Sequence, residues 1–253
     1  MRFFYSILRT AVYVSLTVIL FSCKKETVYE VQQVGGLKGH VSLYDSYTTI
    51  TDYSNVTVAV DGSSPVLKTT TNEKGEYTFE GLKTGIYDLV FTKDSFATYK
   101  MISFQFVGGN VPLDAGFVSL YKLSYAKIND LKVDTSSYYQ YYYAINVHGS
   151  LSGPSISYIY LRYYVSDSPD VSYTNYQATD YSYSSSTGVF SFSPSNTLLS
   201  KFPKGKQLYI ILYSCTTSSS YIDINTGNQI YMINADKASA VVPFMIPNTI
   251  TYF

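Results

Sequence analysis

Apolar and polar residues alternate with a period of two along most of this chain, in short runs broken by Gly, Pro, Asn, Asp and Ser clusters. That pattern predicts half-buried β-strands. In the first half it marks Leu37–Tyr44, Val56–Val60 with a turn at Asp61-Gly62, and Val66–Thr71. The loop Asn72-Glu73-Lys74-Gly75 then leads into Glu76–Phe79, and Gly81–Gly85 forms a corner before Ile86–Phe91. No long helical period competes with it. The fold class expected is all-β, built as two β-sandwiches.

The second half carries the same alternation on a tyrosine-rich background. In Ser137–His148, Tyr139, Tyr141, Tyr143, Ile145 and Val147 share one face, expected to be the core face. Gln140, Tyr142, Ala144, Asn146 and His148 share the other. In Tyr158–Val165, Ile159, Leu161, Tyr163 and Val165 are expected inward, which places Tyr158, Tyr160, Arg162 and Tyr164 together on an outer face. Leu208–Cys215 is more continuously apolar and predicts a central strand. Tyr221–Ile224 and Gln229–Met232 flank a turn at 225–228, and Ala240–Phe244 predicts a last strand that Pro243 confines to an edge. The second unit is therefore expected to be an immunoglobulin- or fibronectin-III-like sandwich.

The N-terminus follows a different pattern. Arg2 and Arg9 precede an apolar stretch from Thr10 to Phe21, shorter than the roughly 20 residues of a membrane-spanning helix. The stretch ends in Leu20-Phe21-Ser22-Cys23, which resembles the lipobox of bacterial lipoproteins, with Phe21 bulkier than usual at its position. The resemblance implies cleavage after residue 22, lipid on Cys23 and attachment to a membrane, since several acyl chains hold where one does so only marginally. Lys24 follows the cysteine. By comparison with such proteins this implies the outer membrane, and Lys24-Lys25-Glu26 partly resembles a surface-export signal of Bacteroidetes. The organisation expected is a signal over 1–22, a tether over 23–35, a first sandwich over 36–120 and a second over 123–253. Of the 29 tyrosines, twenty fall between Tyr121 and Phe253, and this shift in composition supports a boundary near 121–124.

A second resemblance lies in the first unit. Thr69–Phe79 followed by Gly81–Leu89, with Gly39-His40-Val41 and Asn55–Val58 ahead of them, is similar to the carboxypeptidase-regulatory-like family. The resemblance covers about a third of the chain and implies a transthyretin-like (prealbumin-like) sandwich serving as a structural or binding module. The related hydroxyisourate hydrolases use a His/Arg constellation and a C-terminal Tyr-Arg-Gly-Ser motif. This unit has His40, no arginine and no such motif, so that activity is not expected.

Charge and chemistry narrow the function. The chain has 18 basic and 18 acidic residues, and losing Arg2 and Arg9 with the signal leaves it two charges negative. Arg162 is then the sole arginine, so a basic stripe for nucleic acid is lacking. Cys215 is left without a partner in the mature chain and is expected to be a buried, inert thiol. The only histidines, His40 and His148, fall in different units, against a catalytic triad or a zinc site. Asp167, Asp170 and Asp180 could form a glycosidase pair but read as solvated loop acids. Asp223–Asn228 reads as a hairpin turn rather than a calcium loop. No metal, cofactor or catalytic residue is therefore expected. The expected function is a non-enzymatic envelope lipoprotein that binds glycan or protein, with Tyr158, Tyr160, Arg162 and Tyr164 as the binding strip. A structural accessory of an outer-membrane complex and an unrecognised hydrolase are the alternatives.

Overall fold

The computed structural model describes residues 33–248, apart from Tyr47, residues 139–141, Ser155, Ser157 and Tyr158. The described chain is all-β, as the alternation predicts. The first half runs β1 (Val34–Tyr44), β2 (Thr57–Val60), β3 (Lys68–Thr70), β4 (Glu76–Lys83), β5 (Gly85–Thr92), β6 (Tyr99–Phe106) and β7 (Gly109–Tyr121). These make two sheets, β4-β1-β7 and β3-β2-β5-β6. β1 pairs antiparallel with β4 and parallel with β7. The two sheets share one core of Leu37, Val41, Val58, Phe79, Leu89, Phe91, Val118 and Leu120, among others.

The second half runs β8 (Lys127–Tyr138), β9 (Tyr142–Ser152), β10 (Tyr160–Ser166), β11 (Ala178–Tyr183), β12 (Val189–Phe192) and a one-turn helix α1 (Asn196–Leu199). It continues through β13 (Gln207–Cys215), β14 (Ser220–Ile222), β15 (Gln229–Tyr231) and β16 (Val242–Met245). Its sheets are β12-β9-β8 and β11-β10-β13-β16. Their shared core includes Ile145, Val147, Leu161, Tyr163, Val165, Phe190, Leu208 and Leu212. β13 is central and β16 is an edge strand, where Pro243 pairs with Tyr209. Ile145 and Val147 are buried as expected, whereas Tyr139 and Tyr141 lie outside the described residues.

The two cores are separate, but the junction between them is tied from both sides. Ala97 N–H donates to Tyr121 O at 2.9 Å and Leu123 N–H to Ser95 O at 2.9 Å. From the second half, Thr216 Oγ1 donates to Lys122 O at 2.6 Å, Asn234 Nδ2 to Ser124 O at 2.6 Å and Ser214 Oγ to Ala126 O at 2.7 Å. Gln33–Phe253 accordingly forms one compact unit.

The structure corrects one expectation about exposure. Ile159, Leu161, Tyr163 and Val165 do face the core, but the opposite face of β10 is also covered. Arg162 is 5% exposed and Tyr164 0%; Tyr160 is half-buried, and Tyr158 lies outside the described residues. The cover is the β14–β15 hairpin together with residues 171–176, which close a third cluster over Tyr164, Ile211, Tyr213 and Cys215. Tyr176 Oη clamps the hairpin by donating to Gln229 O at 2.9 Å and accepting from Gln229 N at 3.1 Å. Arg162 is held by rings: its guanidinium carbon lies 3.6 Å from the Tyr231 ring centre and 5.2 Å from that of Tyr181. Such contacts suit a desolvated cation. What remains open is the edge of the strip, where Tyr181 and Tyr183 on β11 pair with Arg162 and Tyr160 and are half exposed. Cys215 is free and buried, and burial pushes its thiol up to about 11, so it is inert at neutral pH.

Candidate functional site

Among the described residues the sheet β4-β1-β7 leaves Lys38 and Phe117 of its outer face exposed, and an aromatic cradle is built there. β1 and β7 run in parallel register through Lys38↔Asp114, slip, and resume at His40↔Phe117. The slip is a β-bulge at Ala115-Gly116, with Gly116 at φ +79°, a conformation that glycine adopts at little cost. Asp114 Oδ1 closes the bulge by accepting from Gly116 N–H at 2.8 Å. Bulges re-aim side chains, and here Phe117 projects 82% exposed while its neighbours Val118 and Leu120 enter the core.

On β1 the central residue is Gly39, opposite Tyr77 of β4. The Tyr77 phenol passes beneath it, so a Cβ at position 39 would come within 2.5 Å of Tyr77 Oη. The missing side chain therefore makes room for the phenol. Tyr77 is 2% exposed, and its Oη has no hydrogen-bond partner. Burial, and then the charge of Asp114, hold its pKa above the usual phenol value, so the hydroxyl keeps its proton as a donor. His40 Nδ1 is likewise buried and unpartnered. Buried polar atoms normally find partners, so the orphan His40 Nδ1 on the outer face marks the cleft as a place where a ligand atom would be stabilised, whereas Tyr77 points inward and packs against Phe79 and Phe91.

The cleft has a volume of about 320 Å³ and is lined by Lys38, His40, Glu76, Tyr77, Asp114 and Phe117, with Gly39, Thr78 and Gly116. That lies at the lower end of small-molecule pockets. Its rings form a row: His40 lies 5.0 Å from Phe117 and 6.2 Å from Tyr53. Glu76 is steadied by Asn72, whose Nδ2 donates to Oε2 at 2.9 Å. The cradle thus offers an exposed ring face, two carboxylates, an ammonium and an imidazole. It has no activated nucleophile, and among the described residues no group of three His, Cys, Asp or Glu side chains could hold a metal ion.

The other polar clusters are engaged in structural bonds. Asp167 pairs with Lys206 at 3.3 Å, and Asp180 accepts from Ser195 Oγ at 3.2 Å and from Tyr181 N–H at 2.8 Å. Asp223 Oδ1 accepts the backbone N–H groups of Asn225 and Thr226, which makes 223–228 a turn. His148 Nε2 meets Asp134 Oδ2 at 2.6 Å on an exposed edge. Of the cradle residues, the alternation singles out only His40, and there as a residue without a catalytic partner. A usable signal was present in Phe117-Val118-Ser119-Leu120, whose period of two sets Phe117 opposite two core residues.

No family model matches the chain. No curated protein matches it. Solved structures do resemble it. A type II cohesin–X-dockerin complex from Acetivibrio cellulolyticus, an N-terminal interface mutant, matches at 14% identity and TM-score 0.30 over 35% of this chain and 58% of that one. The chain thus spans less than two thirds of that relative. A candidate carbohydrate-binding protein from Bacteroides uniformis matches at 13% identity and TM-score 0.33, over 83% of this chain and 98% of that one. A DUF3823 family protein from Parabacteroides merdae matches at 15% identity and TM-score 0.31, over 84% and 99%. At these overlaps the likeness bears on neither ligand nor site.

Proposed function

We propose that this chain is a non-catalytic glycan-binding lipoprotein of the outer membrane, anchored through Cys23, and that the Phe117 cradle is its binding site. The observation that carries the reading is an 82% exposed Phe117 beside a cleft lined by Lys38, Glu76 and Asp114 and by His40, whose Nδ1 is buried without a partner. A pyranose presents an apolar C–H face and a rim of hydroxyls. The face would stack on Phe117, as aromatic rings accept such partners with both area and geometry. Glu76 and Asp114 would accept from the hydroxyls, and Lys38 would donate to them. The anchor rests on the Arg2/Arg9 n-region, the short apolar stretch and Leu20-Phe21-Ser22-Cys23.

The test is a glycan array followed by calorimetry on the best binder, comparing wild type, Phe117→Ala and Tyr183→Ala. Phe117→Ala is expected to weaken binding at least about tenfold, about 1.4 kcal/mol, while Tyr183→Ala changes it little. The reverse result would move the site to the β11 edge, and an unbound array would remove the glycan reading. For the anchor, mass spectrometry of the mature protein is expected to find acyl chains on Cys23, and an unmodified Cys23 would remove that part.

A further inference from the structure

Four exposed aliphatic side chains gather at one end of the first sandwich. Val34 is 56% exposed, Ile86 70%, Val107 55% and Val111 80%. Backbone pairing brings their strand ends together. Thr84 N–H donates to Gln33 O at 2.8 Å, Val34 lies opposite Lys83, and Gly35 lies opposite both Leu82 and Gly109. Gly85 lies opposite Phe106 and Ile86 opposite Gln105. A Cβ on Gly108 would sit 3.0 Å from side-chain carbons of both Gln33 and Thr84. The β4–β5 turn, the β6–β7 turn and the start of β1 are therefore one surface, on which the four aliphatic side chains stand beside the exposed amides of Gln33, Gln105 and Asn110, with Lys83 as the neighbouring charge.

This end also has a fixed place in the chain. The tether meets the fold here, at Gln33, and the second half is joined at the far end of β7, at Tyr121. Thirteen residues of β7 at about 3.3 Å each put the two ends about 40 Å apart. From Cys23 to Gln33 the chain can reach at most about 35 Å. A lipid on Cys23 thus confines this end, rather than the second half, to the neighbourhood of a bilayer.

From the exposed valines and the reach of the tether we infer that Val34, Ile86, Val107 and Val111 form a rim that rests in the interfacial layer of the membrane, orienting the domain on it. Exposed aliphatic groups gain by entering the boundary between headgroups and acyl chains, and a lysine beside them meets anionic headgroups. His40 lies six residues along β1 from Val34, so the cradle would be held about 20 Å above the rim, clear of the lipid. The inference rests on the Cys23 anchor and is independent of the ligand.

The test uses the full lipidated chain with Val111→Cys carrying a fluorophore. Cys215 is buried and stays unlabelled. The protein is reconstituted in phosphatidylethanolamine/phosphatidylglycerol vesicles, with or without bromine on the acyl chains. Emission at position 111 is expected to fall at least about twofold with brominated lipid, because interfacial groups sit at the acyl boundary. A label at Ile224→Cys, an exposed position in the β14–β15 turn, is expected to keep its emission. β14 meets β6 through Tyr221 and Tyr99, at the end of β6 away from the rim. Anchored protein with unquenched position 111, or equal quenching at both positions, would overturn the rim. Soluble protein with unmodified Cys23 would instead remove the anchor, and the rim's orienting role with it.

Discussion

Two outer sheet faces of this molecule carry aromatic residues beside charged ones, and they have opposite fates. The face of β10 bears Tyr160, Arg162 and Tyr164 and is roofed by the β14–β15 hairpin. The face of β4-β1-β7 bears Lys38, His40, Glu76 and Phe117 and carries no roof among the described residues. The residue types are those of recognition surfaces in both cases. What separates them is whether a later segment of chain returns to cover the strand. On β10 the tyrosines have become a core, with Tyr164 edge-on to both Tyr176 and Tyr213 at ring separations of 5.0 and 5.6 Å. On β1 and β7 the rings stay at the surface. Buried polar atoms without partners occur on both sides of the comparison, Arg162 Nε and Tyr164 Oη under the roof and His40 Nδ1 beside Phe117, so it is the exposed ring and its cleft that set the open face apart.

The sharpest way to break this comparison is to cut into the roofed face. Tyr164→Ala removes a fully buried ring from the third cluster and is expected to cost about 3–5 kcal/mol, the usual range for deleting a buried aromatic. Chemical denaturation measures it. A loss under about 1 kcal/mol would mean that the hairpin does not seal this face in solution.

The contrast shows what the sequence makes legible. Period-two alternation located β1, β2, β4, β5, β10 and β13 and assigned the inward residues of β10, because burial of one face imposes the pattern. It did not expose β7, whose beginning, Gly109-Asn110-Val111-Pro112, interrupts the alternation with residues poor in strand propensity and whose middle is bulged. The cradle was hidden with it, since Asp114 and Phe117 lie on that strand. Nor can alternation say which outward face a distant hairpin will cover. Tyr231 stacks on Arg162 through tertiary packing alone, and nothing around position 162 in the sequence announces it.

A somewhat smaller effect is expected at the floor of the open face. Gly39→Val would drive a side chain into the Tyr77 phenol, closer than a Cβ approaches any neighbouring heavy atom, and is expected to destabilise by about 1–3 kcal/mol through overpacking. It should also displace Tyr77 Oη from its place under β1. Full stability in Gly39→Val would show that the phenol is free to leave its place under β1.

Alkaline pH probes both faces at once. Tyr77 and Tyr164 are held above the ordinary phenol pKa, in both cases chiefly by burial. Their neutral forms are favoured in the fold, so the unfolded chain loses these protons first. Stability is thus fully present below the unfolded value of about 10 and declines as pH rises past it, by about 1.4 kcal/mol per pH unit for each buried phenol. Denaturation midpoints measured across this range are expected to fall, and less steeply in Tyr77→Phe. That variant also discards an unpartnered buried hydroxyl, so at neutral pH it is expected to be as stable as wild type or more so.

The smallest effect is the one that carries most about function. Phe117 touches His40 and otherwise faces solvent, and as a strand residue it lies opposite the core-facing Val118. Removing a ring from such a position leaves no cavity and unpairs no polar group. Phe117→Ala is therefore expected to change stability by no more than about 0.5 kcal/mol. Natural chains seldom keep a large ring at a site where it adds so little to folding, since an exposed ring on an edge strand such as β7 invites association. The prediction has a built-in contrast, because Tyr164→Ala is expected to cost several times more although both residues are aromatic side chains on outer strand faces. Thermal and denaturant unfolding of the two variants side by side would measure it. A loss of about 2 kcal/mol or more in Phe117→Ala would mean that this ring, too, is covered in solution, and the open face would then have to be counted as a second roofed one.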